Sequence, residues 1–271
     1  MAVLEIIGYF GALLVGLVLG LTGSGGSVLS VPILAYLFSY DEKTATAYSL
    51  FIVGVTALVG SYDVLKGKEA SLSAVLSFGV PSVLGVILVR RVLLPLMPDV
   101  IFQLGDFEFS RRMLIFGLFS IMMLLSAYPM LVKKKISISY LRRKPKMNLL
   151  TIFGGFTLGC FVGLIGAGGG FLMVPALMLI MRMPIKKATA TSLIIVFINC
   201  LAGFFLGDFF VMEMDWNFLF VFSAISLVGI FIGHALARKI DSQKLKKGFG
   251  YFILLVAVFV FIMEIILHKG V

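Results

Sequence analysis

Long stretches of this chain are apolar without interruption, and each ends at a short polar cluster. About eight such runs occupy residues 3–21, 45–65, 70–89, 113–132, 148–165, 188–207, 216–237 and 249–267. Each comes close to or exceeds the ~20 residues that a helix needs to cross the hydrocarbon core of a bilayer. None alternates apolar and polar with period two, as the strand of a membrane barrel does. A segment in lipid must satisfy its own backbone polar groups, so these runs predict helices. Two shorter apolar pieces, 27–38 and 171–181, each follow a Gly-rich break. At about 12 residues they are too short to span comfortably and predict half-helices. The expected fold is all-α: a polytopic helical membrane protein with about eight long transmembrane helices and two short half-helices.

Composition agrees with that reading. Of the residues, 61% are hydrophobic and 13% charged, and the mean hydropathy is +1.13, whereas a soluble domain keeps roughly 25% charged residues. The net charge of +10 would suit a nucleic-acid partner, but its placement along the chain points to membrane topology instead. If every long run crosses once and each half-helix returns toward the side it came from, the segments 63–69, 133–146, 182–187 and 238–247 share one face. They hold 17 of the 23 basic residues and 3 of the 13 acidic ones. The positive-inside rule places that face in the cytoplasm and both termini outside it. The expected location is the cell (inner, cytoplasmic) membrane, multi-pass, with the lipid bilayer and not nucleic acid as partner. The stretch from Lys133 to Lys146 reads as a cytoplasmic topology signal, with binding of anionic head groups as the alternative. The first run carries Glu5 and no basic flank, so it is expected to be retained rather than removed as a signal peptide.

The chain also repeats itself. Gly20-Leu21-Thr22-Gly23-Ser24-Gly25-Gly26, with Val31-Pro32 after it, matches Gly163-Leu164-Ile165-Gly166-Ala167-Gly168-Gly169 with Val174-Pro175, in a constant register of 143 residues. The register continues into Lys43, Ala45-Thr46-Ala47 and Ser49-Leu50 against Lys186, Ala188-Thr189-Ala190 and Ser192-Leu193, and about half the positions from 20 to 50 are identical between copies. Residues 1–132 form the first half, 133–147 the basic linker and 148–271 the second half. In the topology above the first half begins outside and the second inside. The copies are therefore inverted, as in many secondary transporters.

The breaks carry the candidate chemistry. Glycine lets a chain leave helical geometry and lets a ligand approach the backbone, and a helix starting after a break turns free N–H groups and its positive dipole end toward an anion. Candidate binding residues are Gly23, Ser24, Gly25, Gly26 and Ser27 in the first copy, and Gly166, Gly168, Gly169 and Gly170 in the second. The expectation is one central anion between the two breaks. Pro32 and Pro175 fit the first turn of each half-helix. The competing reading is that these glycines serve close helix packing only. Thr46, Ser49, Thr189 and Ser192 lie just inside the next helices, each pair three residues apart on one helical face, and Asn199 follows seven residues after Ser192. They are candidate ligands, with local bonding to a carbonyl one turn back or helix–helix bonding as alternatives. Lys43 and Lys186 are matched between copies and are candidate charges at the two mouths of a pathway. Arg90 and Arg91 end an apolar run on the outer face, and Arg238 and Lys239 end the matching run on the inner one, as mouth charges or anchors. His234 near that inner end is weak support for a proton relay.

The paired Gly-Leu-x-Gly-x-Gly-Gly…Val-Pro blocks, each followed by Ala-Thr-Ala-x-Ser-Leu, resemble the sulfite exporter TauE/SafE family of bacterial and archaeal membrane permeases. The resemblance covers essentially the whole chain. It implies secondary transport of a small sulfur-containing anion such as sulfite, a sulfonate or thiosulfate, and it implies no cofactor. No phosphate-binding loop of the Gly-x-x-x-x-Gly-Lys-Ser/Thr type is present, so direct nucleotide drive within the chain is unsupported. No His/Glu metal cluster and no paired buried carboxylate is evident in a predicted helix. A non-enzymatic function is expected. The contrasting reading is a membrane-embedded sulfur-transfer enzyme with Cys160 or Cys200 as nucleophile, and a third is a structural scaffold without flux.

Overall fold

The computed structural model describes residues 2–23, 26–66, 70–104, 107–131, 148–237, 239–240 and 242–267. Five helices form each half. In the first they are α1 (Ala2–Thr22), α2 (Ser27–Leu37), α3 (Glu42–Lys66), α4 (Leu72–Leu96) and α5 (Arg111–Leu131). In the second they are α6 (Leu149–Ile165), α7 (Gly170–Ile180), α8 (Ile185–Asp208), α9 (Trp216–Ala237) and α10 (Ser242–Phe261, continued as a π-helical turn over Ile262–Leu267). Seven of these are long and apolar enough to cross a membrane. The 17 residues of α6 rise only about 26 Å, because the left-handed Gly166 ends the helix there. The helical architecture expected from the hydrophobic runs is present, with one addition: an antiparallel hairpin of β1 (Val100–Leu104) and β2 (Phe107–Ser110) between α4 and α5, closed by stacking of Phe102 on Phe109.

The repeat extends to single hydrogen bonds. Gly23 N bonds Leu19 O and Gly166 N bonds Val162 O; Leu29 N bonds Gly26 O and Leu172 N bonds Gly169 O; Tyr40 N bonds Leu34 O and Met183 N bonds Leu177 O. All three pairs keep the register of 143. Ser39 and Arg182, also in register, are the two non-glycine residues with positive φ among those described, and each turns the chain from a half-helix into the next long helix.

Helix directions follow from close approaches at glycines. Gly54 faces Cys200 and Leu201, Gly60 faces Leu193, and Gly203 faces Leu50, so the equivalent helices α3 and α8 run antiparallel. Likewise Gly250 meets Met130 and Leu131 while Glu264 meets Arg112, so α5 and α10 run antiparallel. Equivalent helices that oppose each other require a twofold axis in the membrane plane, which is the inversion expected from sequence. The remaining pairs exchange partners between halves. On α1, Gly16 and Gly20 lie against Gly229 and Gly233 of α9, and on α6, Gly155, Gly159 and Gly163 lie against Phe78, Ser82 and Val86 of α4. A β-carbon at Gly16 or Gly159 would overlap the backbone of the opposite helix. In lipid, such small-residue seams gain association through backbone proximity, since apolar burial alone drives little.

Two helical details depart from expectation. Pro32 and Pro175 lie inside their half-helices, each at the sixth residue, not in the first turn. After Pro32 the helix widens into a π-turn over Ile33–Leu37, whereas the second half-helix stays α-helical past Pro175. Moreover, α4 does not stop before Arg90 and Arg91 but runs through them in a π-turn over Val89–Leu93.

Candidate functional site

Each glycine break is the tip of a re-entrant helix hairpin. From its start, α2 runs back along α1: Gly26 meets Val15 and Leu19, Ile33 meets Gly11, and Phe38 meets Gly8. In the second copy, Gly169 meets Val162 and Ile180 meets Gly154. Gly23 and Gly166 occupy the left-handed region at φ 74° and 70°, which glycine enters without the penalty a β-carbon brings. Each tip packs on the other half, Gly23 against Thr189 and Gly166 against Thr46.

That cross-packing separates the breaks. Since α3 and α8 are antiparallel, Thr46 and Thr189 stand at opposite ends of the pair, roughly 25 Å apart at 1.5 Å per residue. A single small anion cannot touch both, so the expected central site between the breaks is corrected to two separate tips at opposite ends of the α3–α8 pair. Ser24 and Gly25 lie outside the described residues, as does the linker 133–147. The turn from Gly166 to Gly169 is tight because α6 and α7 must reverse within the few residues between them.

The candidate hydroxyls are mostly occupied. Thr46 Oγ1 donates to Lys43 O, Thr189 Oγ1 to Ile185 O and Ser192 Oγ to Thr189 O, while Ser49 and Ser30 share a 2.5 Å bond. Ser27 is buried in the first turn of α2. Asn199 Nδ2 donates to Ser82 Oγ at 2.8 Å, tying α8 to α4, and its Oδ1 has no hydrogen-bond partner among the described residues. These side chains bring acceptors rather than donors into the interior. Thr191 and Tyr48, which are repeat equivalents, have another role: Thr191 Oγ1 accepts from Ser71 N and Tyr48 OH from Asp215 N, pinning the turns that lead into α4 and α9. In the turn before α3, burial above all, then Tyr48, Asp215 and Tyr9, pushes the Tyr40 hydroxyl up to about 12, so it stays neutral at any physiological pH. Lys43 and Lys186, at the starts of antiparallel helices, lie at opposite ends of the bundle; Lys43 is 3.8 Å from Asp99, and Lys186 is exposed.

The largest feature that the sequence did not place is a pair of buried carboxylates, each held by an arginine of the other half. Asp208 Oδ2 accepts from Arg90 Nη1 at 3.0 Å, with the two side chains 6% and 0% exposed. Glu264, 1% exposed, accepts from Arg112 at 2.9 Å and from Tyr36 OH of α2 at 2.9 Å. Arg90 is thus no mouth charge; Arg91 is the exposed member of that pair. Arg90 Nε also donates to Gly163 O at 2.6 Å, while Nη2 has no hydrogen-bond partner among the described residues and lies against Gly166. Gly207 makes room for the arginine stem, since a β-carbon there would stand 2.5 Å from Arg90 Cβ. Separately, Arg111 binds Glu42 at 2.7 Å and Asp99 at 2.5 Å.

The cysteines are free thiols on different helices. Cys200 is fully buried, with its sulfur 2.6 Å from where a β-carbon on Gly168 would stand, and Cys160 N lies by Gly85 in the α6–α4 seam. Both positions suit small packing residues. Replacing both, as Cys160→Ala with Cys200→Ala, is expected to keep anion flux within about twofold of the unmodified protein; complete loss of activity in a folded double variant would favour the sulfur-transfer reading.

Comparison with known proteins points to membrane transport. A probable membrane transporter protein of Xylella fastidiosa (strain Temecula1) is 28% identical over 263 residues, 91% of each chain. The probable membrane transporter protein YunE of Bacillus subtilis (strain 168) is 26% identical over 257 residues, covering 85% of this chain and 88% of its own. The probable membrane transporter protein MJ0441 of Methanocaldococcus jannaschii is 37% identical over 116 residues, 41% of this chain and 43% of its own. No solved structure gives a significant match. The model of the sulfite exporter TauE/SafE family matches residues 9–260, a span that takes in both glycine breaks and the inverted helices built around them, and the chain belongs to that family.

Proposed function

We propose that this membrane transporter carries a small sulfur-containing anion, such as sulfite, a sulfonate or thiosulfate, by alternating access of its two inverted halves. The observation that carries this reading is the pair of glycine-broken re-entrant hairpins at opposite ends of the antiparallel α3–α8 pair. Inverted repeats with broken helices are the architecture of transporters that rock one half against the other. With the breaks far apart, the path for the anion runs along α3 and α8, one break serving each end. An inside-negative potential favours anion exit by ~2.3 kcal/mol per charge per 100 mV, so export needs no coupling ion. Purified protein in proteoliposomes is expected to show saturable uptake of at least one of labelled sulfite, thiosulfate or a short sulfonate; no uptake of any of them above protein-free liposomes would reject the substrate class.

The charge asymmetry of the loops supports an orientation with the basic linker in the cytoplasm and the termini outside. In a cysteine-free background, a single cysteine at Gln103, in the β-hairpin, is expected to react with an impermeant reagent in intact cells, and one at Ser137 only after permeabilisation. The reverse pattern would invert the orientation.

A further inference from the structure

We infer that Arg90 and the second glycine break form a single, off-centre binding site for a small inorganic oxyanion, held between the free Nη2 of Arg90 and the N-terminal end of α7. The inference deepens the transport reading, which supplies the identity of the anion as a sulfur oxyanion; the binding chemistry rests on the geometry alone.

The guanidinium is always charged and carries five N–H donors in a fixed fork. Gly163 O takes Nε and Asp208 takes Nη1, which leaves Nη2 buried and without a hydrogen-bond partner among the described residues. A purely structural ion pair would be better served by both terminal nitrogens facing the carboxylate, since bidentate pairing is the stronger arrangement. Instead Nη2 faces Gly166, where any β-carbon would collide with it and with Thr46. The absence of a side chain at Gly166 therefore keeps a charged donor turned toward the break.

The same break leads into α7, an 11-residue helix. Leu172 N and Met173 N bond Gly169 O, so the N–H groups of Gly170 and Phe171, ahead of them, stand at the free end of the helix, where an anion is favoured. Asp208 neutralises Arg90, and the helix end offsets the negative charge that an anion adds. Arg90 and Asp208 both lie in π-helical turns, which occur frequently at functional sites.

The site is not duplicated. The repeat equivalent of Arg90 is Gly233, packed against Leu17 and Gly20 of α1, and the equivalent of Asp208 is Leu65. The first break thus lacks this arginine–aspartate pair, and the bound anion belongs to the end of the α3–α8 pair where α3 begins.

The test is equilibrium binding to the purified protein, read by calorimetry and by anion-dependent melting temperature, with sulfite, thiosulfate and sulfate as probes and gluconate as control. Arg90→Lys keeps a cation beside Asp208 but lacks the second nitrogen, and is expected to weaken oxyanion binding at least tenfold. Arg90→Gln with Asp208→Asn replaces the ion pair by a neutral one of similar shape and is expected to abolish binding; should it fail to fold, Arg90→Lys decides alone. Wild-type affinity in either folded variant, or no oxyanion binding by the unmodified protein, overturns the site. Binding that depends on Arg90 in a protein without flux would instead leave the site standing and reject transport.

Discussion

Gly166→Val is expected to abolish transport and to lower the melting temperature, whereas Ser27→Ala and Thr189→Ala leave most activity. Two costs combine at Gly166. Its φ of 70° penalises any residue with a β-carbon by about 1–2 kcal/mol, and a β-branched one by more. The added carbon also overlaps Thr46 and Arg90 Nη2, and overpacking of this kind typically costs about 1–3 kcal/mol. Relief requires moving the guanidinium, so anion affinity falls together with stability. At Gly168 the atoms nearest an added β-carbon belong to Cys200, Val53 and Val196, so Gly168→Val is expected to lose stability with less effect on affinity. If glycines at both positions merely serve packing, affinity in the folded fraction of either variant will equal that of the unmodified protein.

The second large effect is expected at Asp208. In Asp208→Leu the Arg90 charge stays buried without its counter-ion, and breaking a buried pair from one side typically costs about 3–5 kcal/mol. A neutral double replacement, Arg90→Gln with Asp208→Asn, is expected to recover most of that loss, because desolvation of the pair consumes much of its Coulomb gain. Denaturation measured on Arg90→Gln, on Asp208→Asn and on the double variant checks this. Additive losses would show that the two residues act independently, against the geometry described above.

The parts of this fold that the sequence reveals are those with a one-dimensional signature. Helix number, the half-helices after the breaks, the register of 143 and the inversion all follow from runs, spacings and loop charges. What hides is anything decided by partner choice between halves. Nothing in α1 alone says that it packs on α9 and not on α3, and that choice carries the two breaks to opposite ends of the α3–α8 pair. Gly16 and Gly20 facing Gly229 and Gly233 do hold the answer, but only as a pattern of small residues four apart. The end of α4 is hidden for the same reason. Arg90 reads as the polar edge of an apolar run until Asp208, 118 residues later, neutralises it. Glu264 likewise reads as a residue near a helix end, and its burial depends on Arg112, 152 residues earlier. Among the candidate ligands, the hydroxyls of Thr46, Thr189 and Ser192 bond the preceding turn, an outcome that helical Ser and Thr share widely. The β-hairpin is not legible because its strands, of five and four residues, are too short to establish an alternating pattern.

The central claim, alternating access for a sulfur oxyanion, is tested most directly by trans-stimulation in proteoliposomes. Vesicles containing the protein are loaded with unlabelled sulfite or thiosulfate, diluted into trace labelled anion with the membrane potential clamped at zero, and compared with unloaded vesicles. A site exposed to one face at a time predicts a transient overshoot of labelled anion in the loaded vesicles that saturates with internal concentration and disappears in Gly166→Val. Labelled entry that is rapid but unaffected by internal anion would contradict alternation and indicate a continuous pore through the bundle.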